Sequence, residues 1–250
     1  MPVEISIIVP VFNEADNIQP MVREVAAAMD GMGREWELLF VDDASTDATP
    51  DRIREAAQTD RRVRGLRHQR NAGQSAAVWT GIQTTHSPIL CTLDGDLQNN
   101  PADLPGMIAE LARVDFVSGM RVARQDSWLR KVSSRIARRA RKAALGVDFR
   151  DTGCAIRAFK RSALAGVFPF NGLHRFLPIL VHGGGARTLE LPVSHRARVA
   201  GVSKYGVWNR LGRGIYDLIA ISWYQRRRYR PVEVVELGNI AESIPEEPAP

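Results

Sequence analysis

The chain of 250 residues is 44% hydrophobic and 25% charged, which is ordinary for a soluble globular protein with one large or two small domains. The uncharged stretch "LIAISWYQ" near the C-terminal end is far shorter than the roughly 20 apolar residues of a membrane-spanning helix, and the first residues lack a secretion-signal pattern. We therefore expect a cytoplasmic protein. Cys91 and Cys154 have no CxxC spacing, so neither a zinc site nor a disulfide is expected.

The net charge of +6 is unevenly distributed along the chain. Segments 121–142 and 196–230 each contain nine basic residues and one acidic residue, so the rest of the chain is net negative. This segregation favours a phosphate-rich partner, which is a nucleotide, an anionic lipid or a nucleic acid. Solvated helix faces are the alternative explanation for the same pattern.

The first half of the chain alternates predicted strands and helices. Residues 3–11 form a β-branched strand, and a helix follows in which apolar residues recur at helical spacing. "WELLFVDD" is a second strand, after which Thr49 is expected to cap a helix with Pro50 in its first turn. Three further strands lie at residues 63–66, "PILCTLD" and "DFVSGM", with helices at 75–84 and 102–112 between them. This order predicts a mostly parallel α/β sheet with helices on both faces, and such sheets bind ligands at the carboxyl ends of their strands.

The pattern changes after residue 121. A basic helix is expected at 130–145, followed by "DTGCAIRAFK", a short apolar stretch through "LHRFLPILV" and a strand "TLELPVSH". An amphipathic helix at about 209–228 is the last ordered element, and the acidic, proline-rich residues 238–250 are expected to be disordered. Residues 1–237 are therefore interpreted as a single domain.

The segment "CTLDGDLQNNPADL" places two carboxylates at the end of the fourth predicted strand. Gly95 lets Asp94 and Asp96 turn toward one divalent cation, and Gln98 adds a neutral oxygen ligand. The alternative is a turn in which Asp96 caps the following residues. Neither GxGxxG nor a P-loop motif occurs in the sequence, so a dinucleotide dehydrogenase and a P-loop NTPase are both disfavoured.

A second acidic pair, Asp42 and Asp43, ends the second predicted strand. One of these aspartates either forms an Asx-turn with "AST" or accepts a hydrogen bond from the base or ribose of a nucleotide. Spacing alone does not separate the two interpretations.

Seven segments occur in the order and spacing of the family 2 glycosyltransferases. They are "SIIVPVFNEADNI", "ELLFVDDASTDAT", "RHQRNAGQSAAVWTGI", "CTLDGDLQNNPADLP", "SGMR", "DTGCAIRAF" and "HRARVAGVSKYG". Within that family the chain is most similar to the branch of dolichyl-phosphate mannosyltransferases and other polyprenyl-phosphate sugar transferases. The resemblance covers about residues 3–228.

This resemblance implies a GT-A fold and an inverting transfer of a hexose from GDP-mannose or a UDP-hexose to a dolichyl or undecaprenyl phosphate, with Mg2+ or Mn2+ as cofactor. The residues expected to line the nucleoside pocket are Pro10, Phe12, Glu14, Val41 and Asp43. Those expected to hold the metal are Asp94, Asp96 and Gln98. Those expected to contact the donor and acceptor phosphates are Arg121, Arg130, Ser134, Arg198, Ser203 and Lys204.

A lipid phosphate is already ionised near neutral pH, so this chemistry needs no general base. The site must instead position the substrates and neutralise the leaving diphosphate, a role for the metal and arginines. The candidate catalytic residues are therefore Asp96, Arg121, Arg130 and Arg198. His174 is expected on a helix surface, and His195 as a supporting contact.

Two other functions remain open from the sequence. Transfer to a saccharide or a lipid A intermediate would require a base near the acceptor, for which Asp151 is the candidate. A non-catalytic basic module for membrane or nucleic acid would tolerate replacement of Asp94 and Asp96. We expect no nucleic-acid partner, because the basic segments lack the interleaved aromatic residues of single-strand binders.

The segment 209–230 combines apolar and aromatic residues with a dense arginine cluster. This composition suits a helix at a membrane interface, whereas a core helix with a solvated arginine end is the alternative. We expect peripheral attachment to the cytoplasmic face of a membrane, either directly or through a small integral membrane partner. Homo-oligomerisation is left open.

Overall fold

The computed structural model describes residues 2–121, 142, 148–196 and 207–228; within the last range, the side chains of 207–215 and 218 are not described. The helix expected at 130–145 and the tail expected at 238–250 lie outside the described residues. No helix within the described ranges is long and apolar enough to cross a bilayer.

The described part of the chain contains a seven-stranded sheet in the order β3-β2-β1-β4-β6-β5-β7. All strand pairings are parallel except those of β6, which runs antiparallel to both of its neighbours, β4 and β5. The strands are β1 (Ile5–Val11), β2 (Trp36–Asp42), β3 (Val63–Arg67), β4 (Ile89–Thr92), β5 (Phe116–Arg121), β6 (Arg157–Lys160) and β7 (Thr188–Val193).

Helices cover both faces of this sheet, which confirms the α/β architecture expected from the sequence. They are α1 (Ala15–Met29), α2 (Thr49–Thr59), α3 (Gln74–Thr84), α4 (Leu104–Glu110), α5 (Leu173–Gly183) and α6 (Val207–Arg227). The sequence pattern does not predict strand β6, which has only four residues and so shows no clear period. A helix is expected around His174, but the bounds of α5 are not predicted, because the helix contains Pro178 within a continuous run of buried apolar residues.

The side chains of β1 alternate between two apolar layers, as the period of a strand requires. Ile7 and Val9 pack in the layer that contains the buried residues of α1 and α4. Ile8 packs on the other face with residues of α3, α5 and Ile221 of α6. Gly81 of α3 lies directly over Ile8, where a β-carbon would clash with the isoleucine side chain. Both faces of the central strand are therefore buried, which explains its nearly continuous apolar sequence.

Asp115 joins the starts of β5 and β7 to the end of the antiparallel strand β6 at the other end of the sheet. Its carboxylate accepts hydrogen bonds from Lys160 Nζ at 2.9 Å and from Arg187 Nε and the Arg187 amide at 3.0 and 3.1 Å. The hydrogen bonds from Arg187, with the help of Lys160, hold the pKa of Asp115 well below its usual range.

Replacement Asp115→Asn is expected to lower the melting temperature by a few degrees at pH 7, since it removes the charge that holds these segments together. A carboxylate with a depressed pKa contributes stability above its unfolded pKa of about 3.9 and loses that contribution as the pH falls through the folded value. The difference between wild type and variant should therefore be full at pH 7 and shrink below about pH 4. Thermal unfolding across pH checks this, with the exposed Asp51→Asn as control; a difference independent of pH would contradict it.

Candidate active site

The carboxyl ends of β1, β2, β4 and β5 meet at one edge of the sheet, because these strands are parallel. The reversed direction of β6 brings its first residue, Arg157, to this same edge. In the register of the sheet, Arg157 lies beside Thr92 of β4 and Ser118 of β5. The arginine is thereby placed next to the segment that contains Asp94 and Asp96.

Backbone strain is concentrated at this edge. Asn13, Ala44 and Leu97 have φ values of 56°, 62° and 59°, and they are the non-glycine residues with positive φ in the described chain. Each follows a different strand, namely β1, β2 and β4 respectively. Non-glycine residues enter this region at a cost of about 1 kcal/mol or more, and such residues cluster at functional sites. The three strand-end loops are therefore held in conformations that the chain would not adopt alone.

Hydrogen bonds join the loops after β1 and β2. Ser45 Oγ accepts from the Asn13 amide at 2.8 Å, and Asn13 Oδ1 accepts from the Thr46 amide at 2.8 Å. Thr49 Oγ1 accepts from the Glu14 amide at 2.8 Å. The expectation that Thr49 caps α2 is wrong, because α2 begins at this residue and its hydroxyl serves the neighbouring loop instead.

Both members of the acidic pair after β2 bind the main chain. Asp42 Oδ1 accepts from the Ser45 amide at 3.0 Å, which is the Asx-turn interpretation. Asp43 accepts from the amides of Ala72 and Gly73 at 2.8 and 2.7 Å, and its Oδ1 lies 2.7 Å from Nδ1 of His68. Asp43 thus fixes the "HQRNAG" loop, a role that the sequence pattern does not predict.

The carboxylates of Asp94 and Asp96 lie close enough for their negative charges to repel each other. Burial and the nearby charge of Asp96 together raise the pKa of Asp94 to about 6, and Arg157 and Arg121 oppose the shift. Gln74 Nε2 donates to Asp94 Oδ1 at 2.7 Å. Asp96 Oδ1 accepts from the Gln98 amide at 3.2 Å, so the turn interpretation and the metal interpretation of this acidic motif, residues 94–98, are compatible.

Gly95 is necessary between the two aspartates. A β-carbon here would lie 2.7 Å from Val11 Cγ1 and 3.2 Å from the carbonyl oxygen of Pro10. The acidic motif therefore packs directly against the end of β1.

Gln98 is held by the segment that follows β7. Its Nε2 lies 3.4 Å from the carbonyl oxygen of Arg196, its own carbonyl accepts from the Arg196 amide at 2.9 Å, and Asn99 pairs with His195. The side-chain oxygen of Gln98 is thus the atom that could ligate a cation. His195 is a supporting contact, as expected.

The donor set fits a hard divalent cation. Two carboxylates and an amide oxygen lie within five residues of chain, and no cluster of three acidic, histidine or cysteine side chains suited to a metal occurs in the part of the chain that the structure describes. Mg2+ and Mn2+ sites in nucleotide enzymes commonly use one or two carboxylates and complete their coordination with substrate phosphate. The residues therefore fit a metal shared with a bound diphosphate.

Arg121 lies at this edge but is already paired. Its Nε and Nη2 donate to the two carboxylate oxygens of Asp151 at 2.7 and 2.8 Å, and these bonds raise the pKa of Arg121 above its ordinary value. The Asp151 amide in turn donates to Glu190 at 2.9 Å. Arg121 is consequently fixed in direction, and its charge is shared with a carboxylate.

A cavity of about 170 Å³ lies beside Asp94. Its described lining includes Pro10, Gln74, Arg157 and His174. His174 lies in the first turn of helix α5, in keeping with the expected helix-surface position, but it is only partly exposed: its Nδ1 lies 2.6 Å from Ser75 Oγ, and burial lowers its pKa to about 3. The sequence pattern marks neither Arg157 nor His174 as a site residue, and the antiparallel placement of β6 is what brings the arginine here.

The remaining expected site residues fall into two groups. Phe12 and Glu14 are partly exposed in the loop after β1, whereas Val41 is fully buried between β1 and α3, so only its main chain could face a nucleoside. The expected residues outside the described chain are Arg130, Ser134, Arg198, Ser203 and Lys204. A larger open cleft, of about 1240 Å³, lies at the opposite end of the strands near Ile89 and Lys160, away from the acidic motif.

Comparison with known proteins identifies the family. The family model "Glycosyl transferase family 2" matches residues 6–168, which is more than half of the chain. The protein belongs to the family 2 glycosyltransferases.

Two relatives show which members of that family the chain is similar to. A dodecaprenyl-phosphate galacturonate synthase of Rhizobium johnstonii is 40% identical over 234 residues, which cover 91% of this chain and 69% of the relative. An undecaprenyl-phosphate 4-deoxy-4-formamido-L-arabinose transferase of Aeromonas hydrophila is 36% identical over 86% of this chain and 66% of the relative. The chain thus spans about two thirds of the length of these proteins.

Solved structures support the fold. A mannosyltransferase of Pyrobaculum calidifontis in complex with GDP-Man and Mn2+ has a TM-score of 0.65 at 21% identity, over 92% of this chain and 66% of that one. The glucosyl-3-phosphoglycerate synthase of Mycobacterium tuberculosis, with Mn2+, UDP and its product, has a TM-score of 0.63 at 19% identity, over 90% of this chain and 80% of that one. The GT-A fold expected from the sequence is confirmed.

Replacement Gly95→Ala is expected to weaken Mn2+ binding in the presence of UDP or GDP by at least about tenfold, because the new β-carbon displaces the acidic motif from β1. Gly106→Ala in α4 is the matched control, since nothing lies within 4 Å of the position that a β-carbon would take there and alanine favours a helix. Electron paramagnetic resonance of Mn2+ measures both variants. Equal Mn2+ affinity in the two variants would contradict the proposed packing role.

Proposed function

We propose that this protein is an inverting, metal-dependent glycosyltransferase that moves a hexose from a nucleoside diphosphate sugar to a polyprenyl phosphate. The observation that carries the proposal is the pair Asp94 and Asp96 at the carboxyl edge of the sheet, with Arg157 and Arg121 close enough to oppose the raised pKa of Asp94. An excess of buried carboxylate next to arginine suits a cation and a diphosphate bound together. The relatives that cover most of this chain are named for transfer of a sugar to dodecaprenyl or undecaprenyl phosphate.

The donor would bind with its diphosphate at the acidic motif. Asp94, Asp96 and the side-chain oxygen of Gln98 would hold Mg2+ or Mn2+, which when bound neutralises charge on the leaving nucleoside diphosphate. Neighbouring residues of the chain orient the metal-binding carboxylates. Gln74 donates to Asp94 at 2.7 Å, and Gly95 allows the motif to pack against β1, so the carboxylates are oriented before substrate arrives.

The nucleoside would bind across the joined loops after β1 and β2. Phe12 and Glu14 are partly exposed side chains of the loop after β1. Asp43 holds the loop after β3 in place by accepting hydrogen bonds from two of its main-chain amides. Asp43 therefore acts on the nucleoside through the "HQRNAG" loop that it positions. Arg130, Ser134, Arg198, Ser203 and Lys204 remain proposed phosphate contacts on the strength of the resemblance alone.

A phosphate acceptor is favoured over a saccharide acceptor. A saccharide hydroxyl needs a base, and the candidate for that role, Asp151, has both carboxylate oxygens engaged by Arg121 at 2.7 and 2.8 Å. A carboxylate stabilised in this way is a poor proton acceptor. A polyprenyl phosphate needs no such group, since its oxygen is the nucleophile in its ionised form.

The function is tested by incubating the protein with Mg2+ or Mn2+, a panel of UDP and GDP sugars, and short polyprenyl phosphates, with mass spectrometry of lipid-linked product. We expect Asp96→Asn to lower the rate by at least about 100-fold, because loss of charge stabilisation at the leaving group costs several kcal/mol of barrier. Asp16→Asn, an exposed carboxylate in the first turn of α1, should retain activity. Absence of product from wild type with every donor would overturn the proposal.

The lipid acceptor makes a membrane-facing surface necessary, and we propose the outer face of α6 for this role. Ile221, Gln225 and Arg228 hold the helix to the domain, with hydrogen bonds of 3.2 Å to the carbonyl of Ile179 and 2.7 Å to that of Leu180. The opposite face exposes Tyr216, Ile219 and Trp223 at 75%, 66% and 65%.

The spacing of these three exposed residues, three and four positions apart, places them on one stripe of the helix. Arg226 and Arg227 follow at its C-terminal end, which is the composition of an interfacial helix on an anionic bilayer. The proposed location is therefore the cytoplasmic face of a membrane, peripherally bound.

The double replacement Ile219→Ser and Trp223→Ser should reduce binding to vesicles that contain phosphatidylglycerol by about tenfold or more, since each side chain loses apolar burial. Cosedimentation measures the bound fraction. Val3→Ser removes a partly exposed apolar side chain at the other end of the sheet and should not alter binding. Failure of the wild type to sediment with anionic vesicles would remove direct attachment as the mode of membrane contact.

A further inference from the structure

The side chain of His68 lies between β2 and α3, at the start of the "HQRNAG" loop. Its main-chain amide donates to the carbonyl oxygen of Asp42 at 2.8 Å, which fixes the start of the loop on β2. The imidazole is 16% exposed, and each of its nitrogens contacts another side chain. Nδ1 lies 2.7 Å from Asp43 Oδ1, and Nε2 lies 2.9 Å from Thr80 Oγ1. The ring therefore connects the segment that ends β2 to helix α3.

The hydrogen-bond network assigns the tautomer of His68. A carboxylate only accepts hydrogen bonds, so Nδ1 carries the hydrogen and donates it to Asp43. In the neutral imidazole, Nε2 then accepts from the hydroxyl group of Thr80. Asp43 thus receives three donors, which are this imidazole and the main-chain amides of Ala72 and Gly73. Of these three donors, the imidazole is the one that is also held by α3.

The imidazole fixes the orientation of the Asp43 carboxylate. Rotation about the last side-chain bond of an aspartate is soft, because terminal sp3–sp2 torsions have broad minima. The two amides belong to the loop that Asp43 has to hold, so they do not fix the carboxylate independently of that loop. His68 does, because Thr80 belongs to α3, and α3 packs on β1 with Gly81 directly over Ile8.

The acidic motif is held by contacts that do not include the imidazole. Gln74, the first residue of α3, donates to Asp94 at 2.7 Å, and the packing of α3 on β1 keeps this glutamine in place. Gly95 packs the motif directly against the end of β1. Loss of the imidazole should therefore loosen the "HQRNAG" loop and leave the metal ligands oriented.

We propose that His68 is a positioning residue for the nucleoside of the donor. It acts through Asp43, by holding this carboxylate in the orientation that the "HQRNAG" loop requires. The inference rests on the proposed function, in which that loop contributes to the nucleoside pocket. Because the imidazole is distant from the acidic motif in this network of contacts, its removal should weaken nucleotide binding without slowing the chemical step.

The inference is tested by calorimetric binding of UDP and GDP with saturating Mn2+, which requires no turnover. His68→Leu removes both hydrogen bonds and should raise the dissociation constant of the nucleotide that wild type prefers by about tenfold or more. His68→Asn places an amide nitrogen at the δ position, where it can donate to Asp43, so its affinity should stay within about threefold of wild type. His68→Gln places that nitrogen at the ε position, away from Asp43, and should behave like His68→Leu.

His182→Leu is the matched control. His182 forms the same type of contact, with its Nδ1 2.9 Å from Thr188 Oγ1, but Thr188 begins β7 at the end of the sheet away from the acidic motif. This variant should bind the nucleotide as wild type does, and circular dichroism reports whether each variant is folded. In the lipid-transfer assay, His68→Leu should raise KM for the donor by about tenfold or more and leave kcat within about threefold of wild type.

Four outcomes would overturn the inference. His68→Leu could bind the nucleotide within about threefold of wild type, or His68→Asn could lose as much affinity as His68→Leu, which indicates a purely structural role. His68→Leu could lower kcat with KM unchanged, which assigns the imidazole to the chemical step. Wild type could bind neither UDP nor GDP. The expected order of nucleotide affinities without any lipid-linked product would support the positioning role and refute the transferase proposal, so the two failures are distinguishable.

Discussion

The site depends on the antiparallel insertion of one short strand into an otherwise parallel sheet. Main-chain pairing aligns Thr92 of β4, Arg157 of β6 and Ser118 of β5 in one row across the sheet. Because β6 runs against its neighbours, its first residue lies where their last residues lie. The reversed direction of β6 thus places the buried guanidinium of Arg157 at the edge where the parallel strands end and where the acidic motif lies.

Most charged side chains at this edge have a fixed hydrogen-bond partner. Asp151 takes both donors of the Arg121 fork, and Asp43 takes two main-chain amides and contacts His68. Asp94 has a pKa raised by burial and by Asp96, an effect that Arg157 and Arg121 oppose. The acidic motif is the part of this edge that we assign to the metal. In a pre-organised polar site of this kind, some charged groups interact with bound ligands and have no full partner within the protein.

Much of the first half of the fold could be predicted because its signals are local. The β-branched run before "FNE" and the helical period of α1 depend on residues a few positions apart, and the structure places both elements close to their expected bounds. Strand β6 could not be predicted because four residues show no period, and the bounds of helix α5 could not be predicted because Pro178 and a continuous run of buried apolar residues obscure its helical pattern. The partner of Thr49 is likewise beyond a local pattern, since its hydroxyl accepts from Glu14, 35 positions away.

The acidic motif and the family are already evident in the amino-acid sequence. Asp94, Gly95, Asp96 and Gln98 lie within five residues of the chain, so the proposal that they share one cation rests on their spacing and on the chemistry of oxygen ligands. Which groups lie opposite that motif depends on the folded structure. Arg157 reaches it through strand pairing, His174 through Ser75, which is 99 positions away, and Arg121 is fixed by Asp151, which is 30 positions away. Contacts between segments so distant in sequence are set by packing and hydrogen bonding of the whole sheet, which no local pattern encodes.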